Sequence, residues 1–135
     1  MMTTAVIHYT GNLHTDMTHL QSDTTISTDA PTDNGGQGAA FSPTDLVASA
    51  LGGCMLTIMG LKAASMGIEF SDVRAEVTKT MSANPRRISA VDIAFYINHD
   101  YPEATRKRLE AVAHACPVAQ SLHPDIAQNL SFHYA

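Results

Sequence analysis

The sequence is short of cations and short of cysteine, and each shortage excludes something. Lysine and arginine total 8 against 13 acidic residues, a formal charge of −5, and no basic cluster stands anywhere in the chain. A nucleic-acid partner requires such a patch to neutralise phosphates, so none is expected. No arginine precedes Arg74. The opening MMTTAVIHYTGN has no basic segment followed by an apolar run, so it does not read as a secretory signal. The longest uncharged apolar stretch runs over the sixteen residues from Leu46 to Leu61. That falls below the roughly 20 residues a membrane span needs, and Gly, Ser and Thr interrupt it. A buried core helix is expected there, in a cytoplasmic protein with no membrane partner.

Only two cysteines are present, 62 positions apart. A small disulfide-scaffolded domain would carry more of them, closer together. Two thiols in a reducing compartment are usually buried apolar residues and less often a redox pair, so counting alone favours packing. What is there suits one ordinary domain, 1–135: the length of 135 residues is near the usual domain size, and 44% of the residues are hydrophobic.

Along the chain, residues 3–30 alternate. Val6, His8 and Thr10 share one face of a predicted strand, and Ile7 and Tyr9 the other. Gly11-Asn12 marks a turn, and Leu13–Leu20 and Thr24–Thr28 complete an antiparallel β-meander. Residues 29–40, DAPTDNGGQGAA, form a loop. The glycines invite a phosphate-binding reading, but the required Gly-Lys-Ser/Thr ending is missing. Ser42-Pro43-Thr44-Asp45 then starts a helix. Ser42 caps it, Pro43 suits its first position, and Asp45 completes a short capping box. Leu46, Ala50, Cys54, Ile58 and Leu61 recur at helical spacing, as do Val47, Leu51 and Met55, and Gly67 is placed to end the helix. Apolar residues surround most of it, which predicts burial on several sides. Gly52 and Gly53 cost the helix about 1 kcal/mol each relative to alanine. Close approach of another helix, or room for a substrate beside the thiol, would offset that.

Residues 68–80 alternate, Asn84-Pro85 marks a turn, and residues 87–98 alternate again, so a β-hairpin is expected. Asp100-Tyr101-Pro102-Glu103 starts a second helix that Pro117 ends or kinks, with Cys116 at its C-terminal end. Leu130, Phe132 and Tyr134 alternate in a last strand. The fold class is therefore α+β: meander, long buried central helix, hairpin, second helix, C-terminal strand.

Cys54 sits mid-helix, where an apolar setting raises a thiol's pKa, so reactivity there needs a donor or cation from elsewhere. Cys116, at the negative end of a helix, suits a resolving thiol better than a first attacker. Local sequence does not say whether the two sulfurs meet. His114, Cys116 and His123 fall within ten residues but lack the paired spacing of zinc ligands, so neither a metal nor another cofactor is expected.

The run Phe41-Ser42-Pro43-Thr44-Asp45-Leu46, followed by Gly52-Gly53-Cys54-Met55, resembles the first-helix motif of the OsmC/Ohr family. His114-Ala115-Cys116-Pro117-Val118 resembles that family's second cysteine motif. The order of elements matches as well, over nearly the whole chain. The resemblance implies an intertwined homodimer with the long helices at its centre and both subunits building each active site. It also implies a thiol peroxidase acting on small organic hydroperoxides. Cys54 would be the attacking thiol, Cys116 the thiol that closes a Cys54–Cys116 disulfide, and a dithiol the reductant. Asp45 is the third candidate catalytic residue. The chain departs from the family pattern in two places. Thr44 stands where members have Glu, with Asp45 one residue further on and about 100° around the helix. The N-terminal arginine that stabilises the family's thiolate is missing. Arg86 and Arg87 at the hairpin turn, or His8, His14 and His19, are the nearest substitutes in sequence. The competing functions are a dimer that binds a small hydrophobic ligand at its interface, with the thiols only packing, and an assembly role without a site.

Overall fold

The computed structural model describes residues 1–135. The chain forms two compact units, Met1–Val47 and Ala48–Ala135, and the division falls inside the long helix.

The first unit is the meander. Strands β1 (Ala5–Gly11), β2 (His14–His19) and β3 (Thr24–Asp29) pair antiparallel in that order. The β1–β2 turn puts Asn12 and Leu13 both at positive φ, 55° and 60°, next to a bulge at Gly11. Asn tolerates that geometry and Leu pays strain for it. The register sets His8 opposite Asp16, and His14 opposite Asp29. Threonines pair across the strands, Thr15 with Thr28 and Thr18 with Thr25, the latter at 3.0 Å. β-branched residues of this kind suit a pleated surface. Ile7, Tyr9 and Ile26 stay exposed on the face that Thr15 and Thr28 share. A loop with a 3-10 turn at Thr32–Asn34 returns the chain. At Gly36 a Cβ would lie 1.7 Å from the Ala30 carbonyl oxygen, so the tight loop accepts only glycine there.

Helix α1 (Pro43–Ser65) begins in a reciprocal capping box. The Ser42 N–H donates to Asp45 Oδ2 at 2.9 Å, and the Asp45 N–H donates to Ser42 Oγ at 3.1 Å. It ends as expected at Gly67, with φ +67°: the Ile68 N–H reaches the Ala63 carbonyl and the Gly67 N–H that of Ala64, a Schellman closure.

In the second unit, β4 (Val73–Ser82) and β5 (Arg87–Ile97) form the expected hairpin across a cis Asn84–Pro85 bond. Helix α2 (Glu103–Ala113) and the short α3 (Pro117–Ser121) carry the chain over to β6 (Ala127–Tyr134), which pairs parallel to β5. The core joins Leu51, Met55, Met59 and Ala63 of α1 to Val91, Ile93, Phe95 and Ile97 of β5, and to Leu109 and Ala113 of α2. Phe95 stacks on Phe132 at 4.9 Å between ring centres. The chain by itself covers one stripe of α1. Val47 and Leu61 on its other sides are exposed, Leu61 to 64%, although the pattern predicted burial on several sides.

One expectation fails here. Cys116 does not end α2. That helix stops at Ala113, and Cys116 is the N-cap of α3, with φ −66° and ψ 150°. Pro117 is the reason. Its ring drives the preceding residue out of the helical region, and a proline at the first position then opens a new helix.

Candidate active site: a pair of thiols

Cys54 and Cys116, 62 positions apart in sequence, come together in the second unit: Cys54 packs against the core that holds Cys116, near enough to bear on its titration, and both are free thiols. Two elements bring them together. Cys54 projects from the middle of α1, one residue before the core position Met55, and is half-buried. Cys116 is wholly buried at the break between α2 and α3.

The break changes the electrostatics expected of Cys116. Instead of facing helix carbonyls, its sulfur accepts the Ala119 N–H at 3.3 Å. Burial nevertheless pushes its pKa up, outweighing the Ala119 amide, and the Cys54 thiol pushes the same way. Cys116 therefore stays protonated at neutral pH. The pair consists of one thiol that solvent can reach and one that is buried near it.

The two glycines before Cys54 serve different ends. A Cβ on Gly52 would lie 2.9 Å from Val77 Cγ2, so this glycine lets a strand, β4, and not the expected second helix, approach α1. A Cβ on Gly53 would meet nothing within 4 Å, which leaves open space one residue from the thiol.

The third candidate, Asp45, is engaged in the capping box at the start of α1. It precedes Cys54 by nine residues, about 13.5 Å of helical rise and half a turn out of phase. Arg86 lies exposed in the hairpin turn, and Arg87 opens β5. His8 and His19 are exposed on β1 and β2, whereas His14 bridges two aspartates. That bridge has no sequence signature, because it depends on the β2–β3 register.

The chain is an α+β protein with one free thiol on a long helix and a second at the break between two others. The sequence model of the OsmC-like protein family matches residues 35–131, and the chain belongs to that family. It is similar to a candidate osmotic stress induced and detoxification response protein from Psychrobacter arcticus 273-4. The two share 52% identity over 98% of this chain and 96% of that one, with a TM-score of 0.96. More distant likenesses share the fold. One is an organic hydroperoxide resistance protein OsmC from Legionella pneumophila, at 20% identity over 98% of each chain, TM-score 0.77. Another is an OsmC like protein from Mycoplasma pneumoniae, at 18% identity over 97% of this chain and 95% of that one, TM-score 0.81. No curated protein sequence matches the chain. The α+β fold, in the expected order of elements, is that of these structures.

Proposed function

We propose that this protein is a thiol-dependent peroxidase of oxidative-stress defence that reduces organic hydroperoxides. One observation carries the reading: a half-buried thiol and a buried thiol, distant in sequence, are brought together in one core, near enough for the first to bear on the titration of the second. In the proposed reaction the Cys54 thiolate attacks the peroxide oxygen. The O–O bond breaks, the alkoxide takes a proton and leaves as an alcohol, and Cys54 becomes a sulfenic acid. The Cys116 sulfur then attacks the Cys54 sulfur. The S–O bond breaks, water leaves, and a Cys54–Cys116 disulfide remains. A dithiol reductant reopens it by exchange, becoming a disulfide itself. A distant structural likeness of this chain is described as an organic hydroperoxide resistance protein, which agrees with this choice of substrate.

The working unit in this proposal is a cytoplasmic homodimer. The exposed apolar side of α1, with Val47 and Leu61, supports a second copy packing there. A stable monomer at micromolar concentration in size exclusion with light scattering would contradict that part. For the reaction itself, reduced protein is mixed with cumene hydroperoxide and free thiols are counted. Loss of two thiols per chain, abolished by Cys54→Ser, is the expected result. No loss at millimolar peroxide rejects the peroxidase. It would leave the alternative that the same apolar side of α1 favours, a dimer holding a small hydrophobic ligand at its interface.

A further inference from the structure

Residues 1–47 contain five aspartates and no lysine or arginine, so histidines are their only cationic side chains. His14 spans two of those carboxylates. Its Nδ1 lies 2.5 Å from Asp29 Oδ1, and its Nε2 lies 3.2 Å from Asp16 Oδ1. A neutral imidazole has a single N–H, so one ring nitrogen would turn a lone pair toward a carboxylate. Only the imidazolium donates to both.

Each carboxylate is held in turn. Asp16 Oδ1 accepts from Ser27 Oγ at 2.7 Å. Asp29, 6% exposed, accepts the Ala39 N–H on Oδ2 at 3.0 Å, and its own N–H donates to the Phe41 carbonyl at 3.1 Å. The loop between β3 and α1 is thus fastened at Ala39 to the side chain that His14 grips, and at Phe41 to the Asp29 main chain. A cleft lined by Thr10, Asn12, His14, Asp29, Gln37 and Ala39 admits water to this junction.

We propose that His14 is a proton-operated clasp: as an imidazolium it binds Asp29 and Asp16 and steadies the carboxylate that holds loop 30–41 at Ala39, and its deprotonation loosens that fastening. The ionisable groups around it are few. Strand β1 presents His8, opposite Asp16; β2 presents Asp16; β3 presents Asp29; and the loop carries Asp33. No fixed cation from residues 1–47 replaces the charge that His14 loses.

The direction in pH follows. The bond to Asp29 raises the His14 pKa above its ordinary 6.5, against the opposing effect of desolvation and with further help from Asp16. The clasp's contribution is complete below 6.5 and disappears as pH climbs through the raised value. Alkali, rather than mild acid, loosens the loop at Ala39.

Two measurements on the whole protein test this. The ring resonances of His14 are titrated by NMR, and hydrogen exchange at the Ala39 amide is followed from pH 6 to pH 9, corrected for base catalysis. His14 should titrate above 6.5. Ala39 protection should fall across the same interval, about tenfold for each unit by which the pKa is raised. His14→Gln should leave Ala39 weakly protected at every pH. If that variant does not fold, the titration of the unaltered protein decides. A His14 pKa at or below 6.5, or Ala39 protection that stays constant while His14 titrates, overturns the proposal.

Discussion

Replacing Gly52 with alanine sets two effects of known sign against each other. A glycine inside α1 costs about 1 kcal/mol relative to alanine, so the helix alone would gain from the change. The new methyl group would sit 2.9 Å from Val77 Cγ2, with Ile93 Cδ1 4.0 Å away. Val77 is β-branched and stiff at χ1, and its strand is tied to β5 along its length, so it yields poorly. Overpacking of this kind costs roughly 1–3 kcal/mol. The expected net effect is a loss of about 0–2 kcal/mol, where helix propensity alone predicts a gain. Urea unfolding at fixed protein concentration measures it. The stronger test is a double-mutant cycle. Val77→Ala alone costs about 1 kcal/mol or more in lost burial. It also removes the atom that the methyl group introduced by Gly52→Ala would strike. In the double variant the two changes should be non-additive, with a favourable coupling of about 1 kcal/mol. A Gly52→Ala protein more stable than the parent, or strictly additive changes, would refute the reading that Gly52 exists for the approach of β4.

Three other perturbations follow. Gly53→Ala places its methyl group where its own chain offers no contact within 4 Å, so it should gain up to about 1 kcal/mol; a loss would mean that a second subunit covers that side of α1. Asp45→Ala removes half of the capping box and should cost about 0.5–1 kcal/mol in urea unfolding while the rate of peroxide-driven thiol loss stays unchanged. A slowed reaction would give Asp45 a part in the chemistry. Cys116→Ser removes the buried thiol, so a sulfenic acid should persist on Cys54 and be trapped by dimedone; failure to trap it under limiting peroxide would count against the proposed order of attack.

Much of the fold was legible because its signals are local. The capping box at Ser42 and Asp45, the Gly67 terminator, and the alternation through β4 and β5 each depend on residues a few positions apart; they lie where the pattern places them, except that β4 begins at Val73 and not at Ile68. What escaped depends on partners far off in the chain. The parallel pairing of β6 with β5 has no local code. The grip of His14 on Asp29 follows from a register set by the β2–β3 turn. Pro117 was readable as a helix stop. That it also turns Cys116 into the cap of the next helix was not, because a cysteine is an uncommon cap and α3 has only five residues. The all-round apolar character of α1 reads as burial, but a sequence cannot say whether the same chain or a second copy provides the cover. The two cysteine motifs were visible one by one, and their meeting is a property of the tertiary fold.

The most direct test of the paired-thiol account is a non-reducing peptide map after exposure to less than one equivalent of cumene hydroperoxide. The account predicts a single new species, a disulfide joining the Cys54 and Cys116 peptides of one chain, reversed by dithiothreitol. A Cys54 oxidised to sulfinic acid beside an intact Cys116 thiol, or cross-links only between chains, would contradict it.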